Sequence, residues 1–323
     1  MWRFIARRLM WAVFLFVAVT FVTYVIFFVA PSDPAKLAAG KAATPEQVKQ
    51  VAAYLHLDEP VWKQYGLWMK QLVFEQSLGR SFVNREDVND IIIRAAPVTA
   101  SLVFGGAILW LLVSIPIGVY SALRPRSLID RSAMIFVLIG ISAHPVWIGL
   151  ILSFVFGSYL GITPISGYCD LVNPAIGAEC GGPVEWAYHM ILPWCTFALL
   201  FAALYVRLIR ANVMETMSED YVRTARAKGV AEHTVLRSHI LRNSMLPIVT
   251  ILGLDIALAL GGAVFTETIF NLPGLGRQVI VAYEKTDLPV IVGVVVFSTV
   301  VIILFNLIVD CLYAVLDPRI RLT

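Results

Sequence analysis

Apolar residues gather into six long runs along the chain, separated by segments rich in charged residues, glycine and proline. The runs lie at 9–30, 98–123, 133–157, 189–209, 246–269 and 289–315. A helix that crosses about 30 Å of hydrocarbon needs roughly 20 mostly apolar residues, because every backbone polar group must be paired within the segment. The pattern therefore predicts an all-α membrane protein with six transmembrane helices.

The first run resembles the apolar part of a signal peptide, since Arg3, Arg7 and Arg8 precede it. The apolar residues continue from Leu9 to Ala30, however, and no small-x-small cleavage pattern follows them. We therefore expect residues 1–30 to form a retained transmembrane helix.

Composition sharpens this picture by excluding other classes. The chain of 323 residues is 59% hydrophobic and only 15% charged, whereas a soluble protein has about 25% charged residues. A soluble enzyme is thereby excluded. The net charge of +3 is too small to suggest a nucleic-acid partner, and we expect none.

Lys and Arg are distributed unevenly between the runs. Fifteen of the 25 lie at the N-terminus, between the second and third runs, within 207–242 and in the tail. Because the basic residues of short loops stay in the cytoplasm, both termini are predicted to be cytoplasmic. The segment 31–97 has eight such residues, but loops of about 60 residues or more translocate largely regardless of charge. It is predicted to be external.

The external segment carries its own helix signals. Thr44-Pro45-Glu46-Gln47 has the form of a capping box with proline at the first helical position, and a second helix is predicted from Pro60. Two interpretations stay open: a small helical cap on the outer rim, or a dock for an external partner.

The four cysteines fall into two groups. Cys195 and Cys311 lie within apolar runs and are expected to act as small apolar side chains. Cys169 and Cys180 share the external loop 158–188, where an oxidising compartment favours a disulfide over two free thiols. No histidine or second cysteine pair lies nearby in the sequence, so no metal site is predicted.

No catalytic motif is present. The sequence contains no G-x-x-x-x-G-K-[ST], no H-E-x-x-H and no G-x-S-x-G. We therefore predict no catalytic residue and no cofactor, and we expect that this chain does not itself hydrolyse ATP.

A few polar residues interrupt the apolar runs. His144 precedes Pro145 in the third run, and it is either a structural histidine beside a proline kink or part of a pathway. Asp255 in the fifth run is expected to line a pathway or to hydrogen-bond another subunit, since a carboxylate near a span centre avoids lipid. Asn306 and Asp310 lie in the sixth run, and Asp310 is closer to the cytoplasmic end.

The cytoplasmic segment 211–245, called the elbow below, is predicted to be structured. Ser218-Glu219-Asp220 is an N-terminal helix signal, Gly229 ends that helix, and a second helix follows from Ala231 to Asn243. A helix-Gly-helix arrangement is more than a connection between two spans needs. It predicts a docking surface for a soluble partner, with a simple positive-inside anchor as the alternative.

Several motifs occur together here and elsewhere. They are Asp220-Tyr221-Val222-Arg223-Thr224-Ala225-Arg226-Ala227-Lys228-Gly229, Leu241-Arg242-Asn243-Ser244, Thr266-Glu267-Thr268-Ile269-Phe270, Pro273-Gly274-Leu275-Gly276 and Leu316-Asp317-Pro318-Arg319-Ile320-Arg321. As a set they resemble ABC importer permeases of the dipeptide, oligopeptide and nickel class, over nearly the whole chain. The general coupling motif of such importers begins Glu-Ala-Ala, whereas this chain has Arg223-Thr224-Ala225, in agreement with the peptide subgroup.

The resemblance implies a fold, a location and a set of partners. The fold is the type I ABC importer (MetI-like) permease, with a core at 98–315 and a cytoplasmic tail at 316–323, in the cytoplasmic (inner) membrane of a bacterium. The partners are a second homologous permease, two cytoplasmic ATPases, an external substrate-binding protein and membrane lipid. The residues implied to couple to the ATPases are Asp220, Tyr221, Arg223, Thr224, Ala225, Arg226, Lys228 and Gly229.

The implied substrates are di- and oligopeptides, and nickel or another small solute is the alternative. Nickel would favour several His or acidic side chains in the pathway, and Asp255 with His144 are too few. An ion channel or an intramembrane enzyme is disfavoured, because intramembrane charges are sparse and no catalytic constellation is present.

Overall fold

The computed structural model describes residues 2–29, 34–39, 44–54, 57–172 and 180–316, and these are helical almost throughout. The predicted tail lies outside the described residues except for Leu316. The first eight helices are α1 (Trp2–Tyr24, extended by a π-helical stretch Val25–Val29), α2 (Pro34–Ala39), α3 (Pro45–Tyr54), α4 (Val61–Phe74), α5 (Val88–Leu123), α6 (Leu128–Ser142), α7 (Pro145–Leu152, extended by a π-helical stretch Ser153–Tyr159) and α8 (Pro183–Met217). The others are α9 (Asp220–Ala227), α10 (Glu232–Thr234), a π-helical stretch Val235–Leu241, α11 (Arg242–Ser244), α12 (Leu246–Leu260), α13 (Val264–Ile269), α14 (Leu275–Glu284) and α15 (Leu288–Leu316).

The centre of the molecule is the packing of α5 against α8. Trp110 of α5 is fully buried and stacks on Phe201 of α8, with ring centroids 4.6 Å apart. Close approach depends on small residues: a Cβ at Gly118 would lie 2.9 Å from the Cβ of Ile209. These two long helices form the scaffold on which the other elements are placed.

Among the described residues, four unbroken helices are long and apolar enough to cross a membrane. They are Ala6–Val29, Val88–Leu123, Pro183–Met217 and Leu288–Cys311. Two bent pairs raise the number to six if each pair is one span.

The third apolar run, predicted as one span over 133–157 with a possible proline kink at His144, is divided into two helices. α6 and α7 meet at 106°. Ala143 and His144 are extended, with ψ of 127° and 139°. The ring of Pro145 disfavours the helical conformation at His144, the residue before it. Pro145 then begins α7, where its missing N–H costs nothing.

The fifth run also divides, so the prediction of a single element over 246–269 was wrong at its outer end. α12 ends at Leu260, and Gly262 has φ +136°, a conformation that L side chains rarely adopt. The short helix α13 follows as a separate element.

The part of the chain between α4 and α5 packs, together with α4, onto the first span and the last one. Tyr65 of α4 lies 2.9 Å from the hydroxyl of Thr20 in α1. Asp287, at the start of α15, accepts hydrogen bonds from the hydroxyl of Ser81 and, at 3.0 Å, from the N–H of Phe82. The segment is therefore fastened at two points to the helical bundle.

Candidate functional site

The elbow begins in the last turns of α8, and a turn of two residues, Ser218 and Glu219, joins α8 to α9. The N–H of Ser218 donates to the carbonyl of Glu215 at 3.0 Å, and that of Glu219 donates to Thr216 at 3.2 Å. Glu219 is the N-cap of α9, although its side chain makes no capping hydrogen bond. α8 and α9 are thus joined by a hydrogen-bonded turn.

Side chains of α9 divide cleanly between two faces. Val222 is fully buried and Ala225 is 8% exposed, and both join the central apolar core. The opposite face is open to solvent and consists of Asp220, Tyr221, Arg223, Thr224 and Arg226, followed by Lys228. Since the helix is only eight residues long, its inner face holds it in place and its outer face is presented as a small polar surface.

Gly229 turns the chain after α9. Its φ of +74° lies in the left-handed region, and a Cβ built there would meet no atom within 4 Å. The N–H of Val230 donates to the carbonyl of Ala225 at 3.2 Å, which closes the turn. Glycine is needed here for its conformation and not for lack of space.

Two side-chain contacts brace the turn from outside. Arg226 donates two hydrogen bonds to the carboxylate of Glu232, at 3.1 Å and 2.6 Å, which raises the pKa of the guanidinium. The amide of Asn243 donates to the hydroxyl of Tyr221 at 2.9 Å. The structure therefore pairs Arg226 and Tyr221 inside the elbow, an arrangement that spacing alone did not indicate.

The intramembrane carboxylate Asp255 lies on α12, half-buried, and accepts a hydrogen bond from the hydroxyl of Tyr205 at 2.6 Å. Tyr205 is fully buried on α8. This hydrogen bond within the chain adds to the two predicted roles of Asp255, which were lining a pathway or bonding another subunit.

His144 lies at the corner between α6 and α7. Its Nδ1 accepts a hydrogen bond from the N–H of Val146 at 3.3 Å, so that the side chain caps α7. The imidazole is exposed and meets the ring of Phe265 edge-on, with centroids 5.2 Å apart. A capping role is therefore in place, and no described contact joins His144 to Asp255.

The outer hairpin, α13 to α14, is built around one acidic residue that the sequence reasoning did not single out. Glu267 is fully buried, and its carboxyl group accepts from the hydroxyl of Thr99 at 2.7 Å and from the N–H of Arg277 at 2.9 Å. The hydroxyl of Thr99 in turn accepts from the N–H of Leu275 at 2.8 Å. Glu267 and Thr99 together occupy the N-terminus of α14 and fix it to α5.

Two glycines of the hairpin are required because no larger side chain would fit at their positions. A Cβ at Gly274 would overlap the carboxyl group of Glu267, and one at Gly276 would lie 2.7 Å from the Cα of Val264. Two sequence features could have indicated this site: an acidic residue, Glu267, in an otherwise apolar run, and the Pro-Gly-x-Gly motif that follows it.

The loop after α7 is joined to the hairpin. Its Gly167 N–H donates to the carbonyl of Phe270 at 2.9 Å. Cys169 and Cys180 are linked by a disulfide with their Cα atoms 5.4 Å apart. The structure also brings His189 of α8 to this bond, with Nδ1 3.1 Å from the sulfur of Cys169, so the statement that no histidine lies near the cysteines was wrong in three dimensions.

Comparison with known protein families decides the class of the chain. Residues 114–322 match the family described as binding-protein-dependent transport system inner membrane component, and residues 1–103 match the N-terminal region of such membrane components. The chain belongs to this family. The motifs of the elbow and of the outer hairpin both lie within the longer match.

Individual relatives cover the chain end to end. The dipeptide transport system permease protein DppB of Escherichia coli (strain K12) is 38% identical over 339 residues, covering 99% of both chains. A putative peptide transport system permease protein of Brucella abortus (strain 2308) is 35% identical over 317 residues, covering 98% of both.

A solved structure of the MetNI methionine ABC transporter, in inward-facing conformations, shares the fold of this family member. Its TM-score is 0.53 at 14% identity, and the match covers 70% of this chain and 96% of that one. At that identity the likeness extends to the fold alone.

Proposed function

We propose that this chain is the permease subunit of an ATP-driven importer of di- and oligopeptides, with six spans and both termini in the cytoplasm. It forms half of the translocation pathway beside a second, homologous permease. Two cytoplasmic ATPases drive it, and an external binding protein delivers the substrate. Relatives named for dipeptide and peptide transport favour peptides over nickel.

The observation that carries the coupling role is the two-faced packing of α9. Its apolar face is fixed in the core, and its polar residues are presented at the cytoplasmic end of a chain without a nucleotide-binding motif. Asp220, Tyr221, Arg223, Thr224, Arg226 and Lys228 provide the coupling surface, while Ala225 holds the helix in the core and Gly229 forms the turn after it. In this proposal Asp255 and His144 line the pathway, and the disulfide of Cys169 with Cys180 orders the outer loop.

Reconstitution in liposomes tests the proposal. The complete complex, with ATPases inside and loaded binding protein outside, should take up radiolabelled dipeptide at the expense of ATP, and omission of this chain should abolish both uptake and stimulated hydrolysis. Uptake of Ni²⁺ in place of dipeptide by the same complex would replace peptide with metal in the proposal.

A further inference from the structure

Carboxyl groups within the bundle differ in how many donors surround them. Asp130, at the start of α6, accepts from the hydroxyl of Ser121, from the N–H of Arg126 at 2.8 Å, and twice from Arg210, at 2.7 Å and 3.0 Å. Asp310 pairs with Arg8 at 2.9 Å. Glu267 and Asp287 each accept at least two hydrogen bonds, as described above.

Asp255 stands apart from these groups. Within the part of the chain that the structure describes, the hydroxyl of Tyr205 is its one hydrogen-bond donor, and no Lys or Arg forms an ion pair with it. An ionised carboxylate can accept about four hydrogen bonds, and a carboxylate in a low-dielectric region is costly unless a cation or several donors accompany it. Its second oxygen has no donor among the described residues and is free to accept from a group outside this chain.

A second unsatisfied acceptor lies at the same depth. α12 and α15 run antiparallel, since the hydroxyl of Ser298 donates to the carbonyl of Gly261 at 3.0 Å while Gly253 packs on Val309. At about 1.5 Å per residue, this pairing brings Asn306 to within about 3 Å of the level of Asp255. The Oδ1 atom of Asn306 is buried without a partner among the described residues.

We propose that Asp255 binds the N-terminal ammonium group of the peptide during its passage, and that Tyr205 is a positioning residue that holds the carboxylate. The proposal rests on the proposed function. Every unmodified peptide has this ammonium group whatever its side chains, so one carboxylate can serve a broad range of substrates. The group supplies three N–H donors and the positive charge that Asp255 lacks.

The test is a two-by-two comparison of complex and substrate. Wild-type and Asp255→Asn complexes are reconstituted with the same saturating binding protein, and uptake is measured for Ala-Phe and for propionyl-Phe, in which hydrogen replaces the amino group. Because each substrate is compared between complexes, the preference of the binding protein cancels. Loss of a charge-assisted contact predicts roughly a tenfold or greater fall in Ala-Phe uptake, and propionyl-Phe uptake should change less than about twofold.

Two further variants separate positioning from structure. Tyr205→Phe removes the donor and keeps the ring, so it should reduce Ala-Phe uptake selectively but less than Asp255→Asn does. Asp310→Asn is the matched control, because it removes an intramembrane carboxylate paired with Arg8, and it should affect both substrates equally. If the binding protein does not deliver propionyl-Phe, saturation-transfer NMR on the solubilised complex without binding protein should detect Ala-Phe on the wild type but not on Asp255→Asn.

Several outcomes would overturn the proposal. An equal loss for both substrates, with poorer recovery of the second permease, would place the countercharge of Asp255 in another subunit. Unchanged Ala-Phe uptake or binding in Asp255→Asn would remove the ammonium site. A wild-type complex that takes up no peptide would instead refute the proposed function, and this result is separate from either of the others.

Discussion

In both the outer hairpin and the elbow, a long helix is followed by a short helix, and a glycine turn then leads to the next element. Their polar residues are treated in opposite ways. In the hairpin, Glu267 and Thr99 are fully buried and their hydrogen bonds are made within the chain. In the elbow, the polar residues of α9 are exposed and the buried side chains are apolar.

The glycines of the two regions show the same contrast between close packing and open space. Gly274 and Gly276 leave no room for a Cβ, whereas Gly229 has ample room and needs only a positive φ. A motif whose residues contact one another serves the packing of its own chain. A motif whose residues face outward on a fixed helix is available to a partner, and the difference lies in the direction of the side chains.

The sharpest test of this contrast is removal of the buried acid. Glu267→Ala leaves the N–H of Arg277 and the hydroxyl of Thr99 without an acceptor, at about 1–3 kcal/mol for each group. We expect a fall of about 2–6 kcal/mol in unfolding free energy, measured as a lower Tm of the purified complex. Thr268→Ala, one residue along on the exposed side of α13, is the matched control and should change stability by less than about 0.5 kcal/mol. Equal Tm values for the two variants would show that the hairpin does not depend on Glu267.

The disulfide gives the next largest effect on the outer side. Mass spectrometry of the non-reduced protein should recover Cys169 and Cys180 as one linked peptide, and alkylation of both without reduction would refute the bond. Replacing both by alanine should destabilise the loop by about 2–3 kcal/mol, visible as faster hydrogen exchange in residues 158–172. Cys311→Ala is the control and should leave this exchange unchanged.

The corresponding test in the elbow should affect coupling more than stability. Gly229→Val forces a β-branched residue into the left-handed region, at a cost on the order of 1 kcal/mol or more. Peptide uptake and ATPase stimulation should fall sharply, while the binding protein keeps its affinity for substrate. Gly229→Asn is the control, since asparagine tolerates this conformation better. A normal ratio of uptake to hydrolysis in Gly229→Val would show the elbow to be a passive connector.

The smallest expected effect is that of substituting Arg226, which tests whether this exposed side chain contacts the ATPases. Arg226→Glu should weaken association with the ATPases less than about fivefold, because exposed ion pairs contribute little. The double variant Arg226→Glu with Glu232→Arg restores the pair within the elbow. Recovery of association in the double variant would assign Arg226 to bracing the turn, and persistent weakening would assign it to the ATPase surface; pull-down titrations distinguish the two.

The sequence predicts where helices begin and end better than it predicts the angles at which consecutive helices meet. The helix start at Pro45, the two-turn helix that ends before Gly229 and the long last span follow from capping residues, glycine and apolar length, which act locally. The 106° corner at His144 was visible only as a proline, because a kink and a sharp break have the same local sequence.

Contacts between distant parts of the chain could not be predicted from the sequence. Thr99 and Glu267 are separated by 168 residues, and Cys169 and His189 by 20, so neither hydrophobic period nor motif spacing brings them together. The pairing of Asp255 with Tyr205 was expected as a hydrogen bond but not as one within this chain. The sequence identifies which polar residues are unusual, and the packing of helices determines which of them meet.

The length of α8 has a mechanical consequence. Its 35 residues span about 52 Å, so roughly 20 Å lies beyond a hydrocarbon layer of about 30 Å. A tilt of about 10° about its midpoint would displace each end by about 4–5 Å, which is nearly one helical turn. Because a hydrogen-bonded turn joins α8 directly to α9, little slack is available to absorb that displacement. A small change of angle within the bilayer is thereby converted into a sizeable displacement of the end that carries α9.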